Sequence, residues 1–460
     1  MKLESELLDA LSDRVLVWDG AMGTQIQAAE LQTHDFALRA GIQLPPEAKA
    51  ASERLGERVL DGCNEILNLT RPDVIAHIHR AYLEAGSDLV ETNTFGATSI
   101  VLAEYDIPEL EYEIALAAAR LAKEEARSAQ ERHRRPKFAV GALGPGTKLV
   151  SLGQTSWEEL ERTYCRAFLG LLEGGVDALL LETLQDLLMV KAGVVAAKRA
   201  MAEADRRVPL FVQVTMEQTG TMLLGSELGA ALNMLEAFPE IQAIGLNCAT
   251  GPVEMAPHVR FLSQYSTRPI TVQPNAGLPI MESGQAVYKL TPGELAQHHS
   301  RFVEEFGVAM VGGCCGTTPA HIEAVANQVG GRPHRADAHW RKVSNLFPGF
   351  DFDMQSEEQA RALKLVGCSS LYMFQPYKQD ASFLIVGEKT NANGSKAFRE
   401  MLGHENWEGL TELARELEAE GSHVLDVCAA FVGRDEERDM RTLLAAYNRQ
   451  ITVPIMIDST

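Results

Sequence analysis

Positive charge is scarce in this sequence: 42 Lys and Arg stand against 63 Asp and Glu, a net charge of −21. A deficit of this size opposes sequence-independent binding to nucleic acid or to an anionic membrane, since both present phosphate. Long apolar runs are missing too. None reaches the ~18–20 residues of a membrane span, and even Ala178–Leu181 meets Glu182 at once. The opening Met1-Lys2-Leu3-Glu4-Ser5-Glu6 has neither the cationic start nor the apolar core of a secretion signal. No internal repeat of roughly 20–50 residues stands out. These absences predict a cytoplasmic protein.

What is present is ordinary in bulk. With 460 residues and 46% hydrophobic content, the chain has room for two or three domains of roughly 100–250 residues. Seven cysteines, an odd number, fit thiols kept for chemistry or metal better than a disulfide framework.

Over 1–330, short apolar runs alternate with longer helical patterns. Eight strands are expected: Val15–Trp18, Asp88–Glu91, Phe138–Gly141, Ala178–Glu182, Pro209–Val214, Ala243–Asn247, Pro269–Gln273 and Ala309–Gly312. Their near-continuous apolar character is that of parallel strands buried on both faces. Between them, Arg71–Ala85 has helical spacing, and Ser156, Thr291 and Thr318 stand as helix N-caps. This is the pattern of an α/β protein built as a (β/α)8 TIM barrel, with an open doubly wound sheet as the alternative. Residues 331–380 lose the alternation and read as an inter-domain linker that packs through Phe347, Phe350 and Phe352. Over 381–460 a second α/β pattern begins. Its expected strands are Phe383–Val386, Val424–Val427 and Ile455–Ile457, and its helices Ser395–Leu402, Trp407–Ala419 and Glu436–Gln450. Three strands cannot close a barrel, so this reads as the first part of a second one.

The strongest chemical signal is Gly245-Leu246-Asn247-Cys248 together with Gly312-Gly313-Cys314-Cys315-Gly316. Cys248 follows the sixth strand, and Cys314 and Cys315 follow the eighth. In a parallel barrel these ends open on one face, so three thiols converge. Three thiolates leave one position of tetrahedral Zn²⁺ open, as a catalytic site requires. Taken singly, Cys248 could be a buried apolar cysteine and Cys314-Cys315 a vicinal disulfide. Other strand ends are polar as well: Asp19, the run Glu91-Thr92-Asn93-Thr94, Gly144-Pro145, Glu182 and Asn275. Carboxylates there suit a substrate ammonium group. The alternative for each is a rim residue that caps a loop.

Asp19-Gly20-Ala21-Met22-Gly23-Thr24, Glu91-Thr92-Asn93-Thr94-Phe95 and the two cysteine motifs resemble the zinc-dependent homocysteine S-methyltransferase domain. Val386-Gly387-Glu388-Lys389-Thr390-Asn391, Asp426 and Ile457-Asp458-Ser459 resemble the opening of the pterin-binding (methyltetrahydrofolate) barrel. In tandem they resemble the cobalamin-dependent methionine synthase family. The resemblance implies that Cys248, Cys314 and Cys315 hold zinc and activate the thiolate of homocysteine. It implies that Asp19 and Glu182 hold the substrate amino group, that amides near Gly144 face its carboxylate, and that Asn93 and Asn247 complete the site. It implies methylcobalamin as methyl donor, recharged from 5-methyltetrahydrofolate, with Asn391, Asp426 and Asp458 lining the pterin site.

Two departures stand out. Cys428 occupies a position where many family members have Asn, and the chain stops at Thr460, before the remaining strands. No cobalamin loop is evident either: Asp337-Ala338-His339 is followed by Trp340-Arg341-Lys342, without the glycine of Asp-x-His-x-x-Gly. Cobalamin is therefore expected on a domain or partner protein outside this chain. Two alternatives remain: a cobalamin-independent homocysteine methyltransferase using betaine or S-methylmethionine, and a non-catalytic zinc- and thiol-binding fragment. His298-His299 reads as helix surface, and Cys63, Cys165 and Cys368 read as packing thiols. Oligomeric state is left open.

Overall fold

A computed structural model of the protein describes residues 5–38, 44–56, 58–282, 285–346 and 364–459. The chain groups into two units, Met1–Leu223 with Phe238–Ala362, and Leu224–Ala237 with Leu363–Thr460.

The first unit is built on eight strands: β1 (Leu16–Val17), β2 (Leu89–Glu91), β3 (Phe138–Leu143), β4 (Ala178–Leu184), β5 (Leu210–Val214), β6 (Ile241–Asn247), β7 (Ile270–Gln273) and β8 (Met310–Val311). Each falls on a segment expected from its apolar run. All pairs are parallel, in the order β1-β8-β7-β6-β5-β4-β3-β2. The ring closes between β1 and β2 through Asp88. Its N–H donates to Val17 O (2.6 Å), and its carboxylate accepts from Val17 N (3.1 Å) and from both Arg14 terminal nitrogens (2.8 and 3.1 Å). The result is the expected TIM barrel, with strand side chains almost all buried.

Helices follow the strands: α1 (Pro72–Glu84), α2 (Glu111–His133), α3 (Trp157–Gly174), α4 (Leu187–Glu203), α5 (Leu228–Glu236), α6 (Pro252–Tyr265), α7 (Pro292–Phe306) and α8 (Pro319–Val329). Of these, α5 groups with the second unit. The expected caps form: Ser156 accepts from Glu159 N, Thr291 pairs with Glu294 and Thr318 with His321.

The second unit contains α5, a hairpin of β9 (Gly367–Ser369) with β10 (Phe374–Pro376), and a parallel sheet in the order β11 (Val386–Gly387), β12 (Val424–Val427), β13 (Ile455–Ile457). Helices α9 (Lys396–Gly403), α10 (Trp407–Ala419) and α11 (Glu436–Gln450) supply Phe398, Leu402, Leu410, Leu417, Leu443 and Tyr447 to a core that includes Leu425 and Val427.

Three local expectations gain detail or are corrected. The strand expected over Phe383–Val386 begins only at Val386, because pairing with β12 starts there and Phe383 is 90% exposed. The stretch 331–380, expected to lose the strand–helix alternation, holds a helix, His339–Leu346, and the β9–β10 hairpin. Within the first unit that helix packs through Trp340, which is buried and donates to Gly307 O (2.8 Å). Phe347, Phe350 and Phe352 lie outside the described residues. Finally, His299 is core rather than surface: it is fully buried and its Nε2 bonds Gly312 O at 2.7 Å.

Candidate active site

The C-terminal strand ends of the first unit open onto a cavity of about 270 Å³. Its wall includes Asp19–Thr24 after β1, Glu91–Phe95 at β2, Glu182 and Thr183 at β4, Cys248 after β6, Gln273 at β7 and Gly313–Cys315 after β8. Among the described residues, none that lines it is Lys, Arg or His.

The three cysteines meet on one side. Cys248 Sγ lies 3.7 Å from Cys315 Sγ, and Cys314 Sγ lies 4.0 Å from Cys315 Sγ. All three ligand atoms fall within 4.8 Å of one another. Four-coordinate zinc with Zn–S of ~2.3 Å places sulfurs about 3.8 Å apart, so this set fits such an ion. The backbone is strained where the thiols are placed, since Cys248 and Ala249 hold φ of 61° and 56°. Hydrogen bonds then fix the loop after β8: Cys314 N donates to Pro274 O (2.8 Å), Cys315 N to Asn275 Oδ1 (3.1 Å), and Thr317 Oγ1 to Cys314 O (2.7 Å). Gly316, at φ 78°, is needed because a Cβ there would sit 2.2 Å from the Tyr288 ring. Tyr288 thus packs against the turn that follows Cys315. Hydrogen bonds with Cys248 and then Cys314 hold the Cys315 thiol down at about 3. The same contacts, with burial, push Cys314 well above the usual thiol range. Metal binding at such a cluster displaces the thiol protons to solvent.

Carboxylates gather in the same cavity. Asp19 is 2% and Glu182 7% exposed. Asp19 Oδ2 accepts from Glu91 N (3.0 Å), while Oδ1 is buried with no hydrogen bond. Burial first, then the Glu91 charge, raises Asp19 well above its ordinary range. Burial, then Glu91 and Cys248, does the same to Glu182. Burial lifts Glu91 to about 7, against the opposing hydrogen bond from Gln273.

Of the residues singled out from the sequence, Asp19, Asn93, Glu182, Cys248, Cys314 and Cys315 line this one cavity. Asn247 stands behind it. Its Nδ2 donates to Glu182 Oε2 (3.1 Å) and Thr183 Oγ1 (2.8 Å), and its Oδ1 accepts from Thr183 N (2.8 Å). Thr183 holds φ 57°, so Asn247 braces a strained strand end. Asn93 is braced as well, donating to Asn64 O (2.8 Å). Gly144 is not among the cavity's lining residues, and its own amide donates to Phe95 O at 2.9 Å. Sequence reasoning passed over Glu65, Thr183, Gln273 and Tyr288. Only Gln273, polar at the end of an apolar strand, carried a signal.

In the second unit Asn391, Asp426 and Asp458 converge at the ends of β11, β12 and β13. Asn391 Nδ2 donates to Asp426 Oδ2 and to Asp458 Oδ2, both at 2.9 Å. Cys428 is buried beside them, with Asn393 Nδ2 at 3.5 Å from its sulfur.

Residues 16–329 match the family model described as homocysteine S-methyltransferase, and residues 387–460 match that of pterin binding enzymes. A curated methionine synthase from Mycobacterium tuberculosis is 45% identical over 459 residues, 99% of this chain and 34% of that protein. Its counterpart from Mycobacterium leprae is 44% identical over 461 residues, again 99% of this chain and 34% of that protein. The chain thus spans about one third of the curated relatives it matches. The metallated form of the homocysteine methyltransferase MmuM from Escherichia coli shares the barrel fold, with a TM-score of 0.52 and 20% identity, over 70% of this chain and 98% of that one. Among the described residues, no helix is long and apolar enough to cross a membrane. With more than half of its length matched by that first family model, the chain belongs to the homocysteine S-methyltransferase family of methyltransferase enzymes.

Proposed function

We propose that the chain transfers a methyl group to the zinc-activated thiolate of homocysteine to give methionine. The observation that carries this reading is the triangle of Cys248, Cys314 and Cys315 sulfurs at the mouth of a barrel. These three residues would hold Zn²⁺ and leave the fourth position to the substrate sulfur. When bound there, the ion supplies thiol deprotonation while three thiolate ligands leave the substrate sulfur electron-rich.

The chain's own residues do the rest. Asp19 and Glu182 face the cavity with no cation on its walls, so they receive the substrate ammonium. Its arrival stabilises their charged forms, reversing the effect of burial. Asn247 keeps Glu182 aimed, and Asn93 shapes the opposite wall.

In this reading the donor is methylcobalamin, carried by a domain or partner outside this chain and recharged from 5-methyltetrahydrofolate. The match of residues 387–460 to pterin binding enzymes supports that source over betaine or S-methylmethionine. Asn391, Asp426 and Asp458 would face the pterin, the carboxylates accepting from its ring N–H groups. The corresponding division is a homocysteine-binding barrel over 1–330, a connector over 331–380 and a pterin-binding part over 381–460. Seven free cysteines suit a reducing, cytoplasmic compartment.

The test is metal analysis and homocysteine titration of the full chain and of its Cys314→Ser variant. One equivalent of zinc and saturable homocysteine binding are expected for the parent, and loss of both for the variant. Unchanged zinc and unchanged binding in the variant would sink the proposal.

A further inference from the structure

A hydrogen-bonded chain crosses the barrel interior and ends on Glu91. It begins at Trp18, whose indole Nε1 donates to Thr271 Oγ1 (2.9 Å). Gln213 Nε2 donates to the same oxygen (3.0 Å) and to Gln273 Oε1 (2.5 Å). Gln273 Nε2 then donates to Glu91 Oε1 (2.8 Å). Trp18, Thr271 and Gln213 are fully buried, and Gln273 nearly so. Gly245 leaves room for the Thr271 side chain, since a Cβ there would lie 2.4 Å from Thr271 Cγ2.

Four polar side chains in a barrel core are costly unless their geometry has a use. Here it has a direction. An indole N–H can only donate, so Thr271 Oγ1 accepts from Trp18 and from Gln213 alike, and from Gln213 onward each contact passes a donor toward Glu91. Gln213 Oε1 is left buried with no hydrogen bond. That cost persists because the reversed array would aim the Gln273 carbonyl at the Glu91 carboxylate.

An α-ammonium group carries three N–H donors. The cavity offers three carboxylates that touch one another electrostatically: Asp19, Glu91 and Glu182. Asp19 Oδ1 has no partner, and Glu91 lends its own N–H to Asp19 Oδ2.

We propose that Glu91 is the third wall of an ammonium cage with Asp19 and Glu182, and that Gln273, backed by Gln213, Thr271 and Trp18, is the positioning residue that keeps it facing the cavity as an acceptor. This rests on the reading that the cavity takes homocysteine. The cage makes the ammonium a selectivity element: an amino-acid thiol is held, and a thiol acid of the same length without the amino group is not.

The experiment measures equilibrium binding of L-homocysteine and of 4-mercaptobutanoate to the zinc-loaded full chain, with zinc content read for each variant. The parent should prefer homocysteine. Glu91→Gln, nearly isosteric, should weaken homocysteine about tenfold or more and leave 4-mercaptobutanoate within about twofold. Gln273→Met, similar in volume, should weaken homocysteine by about three- to tenfold, again selectively. A merely structural role would weaken both thiols together, and that result overturns the proposal, as does an unchanged preference in Glu91→Gln. Should Gln273→Met fail to fold, Glu91→Gln decides the matter. A parent that binds both thiols equally sinks the cage and leaves the homocysteine site standing, whereas a parent that binds neither removes the reading beneath it.

Discussion

At the strand ends of the first unit, Asp19 and Glu182 are buried, and among the described residues one Asp19 oxygen has no partner and no cation lines the cavity. At the strand ends of the second unit, Asp426 and Asp458 are half-buried and share the amide nitrogen of Asn391. Both are parallel sheets with acids at their C-terminal ends, and each holds one buried oxygen without a hydrogen bond, Asp19 Oδ1 and Asp426 Oδ1, yet only in the second does a single amide bridge the two acids. The first arrangement costs stability and is what a cation-binding cavity needs. The second holds its acceptors in place before any ligand arrives.

The contrast can be broken most forcefully by neutralising Glu91. Its pKa is raised to about 7 in the folded chain against an ordinary 4.5. The folded state therefore binds more protons than the unfolded state between these values, and stability falls as pH rises through that window. At pH 8 the ionised carboxylate costs the fold about 1–3 kcal/mol. Glu91→Gln should stabilise the metal-free barrel by that amount at pH 8, and the gain should fade by pH 5. Urea unfolding at the two pH values checks this, and an equal gain at both would contradict it.

Asn247→Ala should have the opposite sign. It strips the buried Thr183 N–H and Glu182 of their partner, at a cost of about 2 kcal/mol in the same urea experiment. The smallest effect is expected for Asn391→Ala, which leaves two half-exposed aspartates facing each other. The second unit should lose about 1 kcal/mol, read as weaker hydrogen-exchange protection in β12, with the barrel unchanged. A loss spread over both units would erase the distinction.

Much of this was legible because local patterns and final contacts coincide. Val424–Val427 and Trp407–Ala419 form with the bounds their apolar spacing predicts. The cysteine motifs could be placed because parallel barrel strands send their C-terminal ends to one face. What could not be read depends on partners far apart in sequence. Gln273 and Glu91 are 182 positions apart, and nothing near either announces their bond. His299 looked like surface until its bond to Gly312 O appeared. Which carbonyl takes the Gly144 N–H is set by the loop that brings Phe95 over it. Tyr288 packs against the turn that follows Cys315 from a loop after β7 that carries no motif.

The central claim is that Cys248, Cys314 and Cys315 present an open metal position to a substrate thiol. X-ray absorption at the zinc edge of the full chain counts the sulfur ligands directly. Three sulfurs and one lighter ligand are predicted without substrate, and four sulfurs once homocysteine is added. A sulfur count that does not change on adding saturating homocysteine, or a chain that takes up no zinc, would contradict the account.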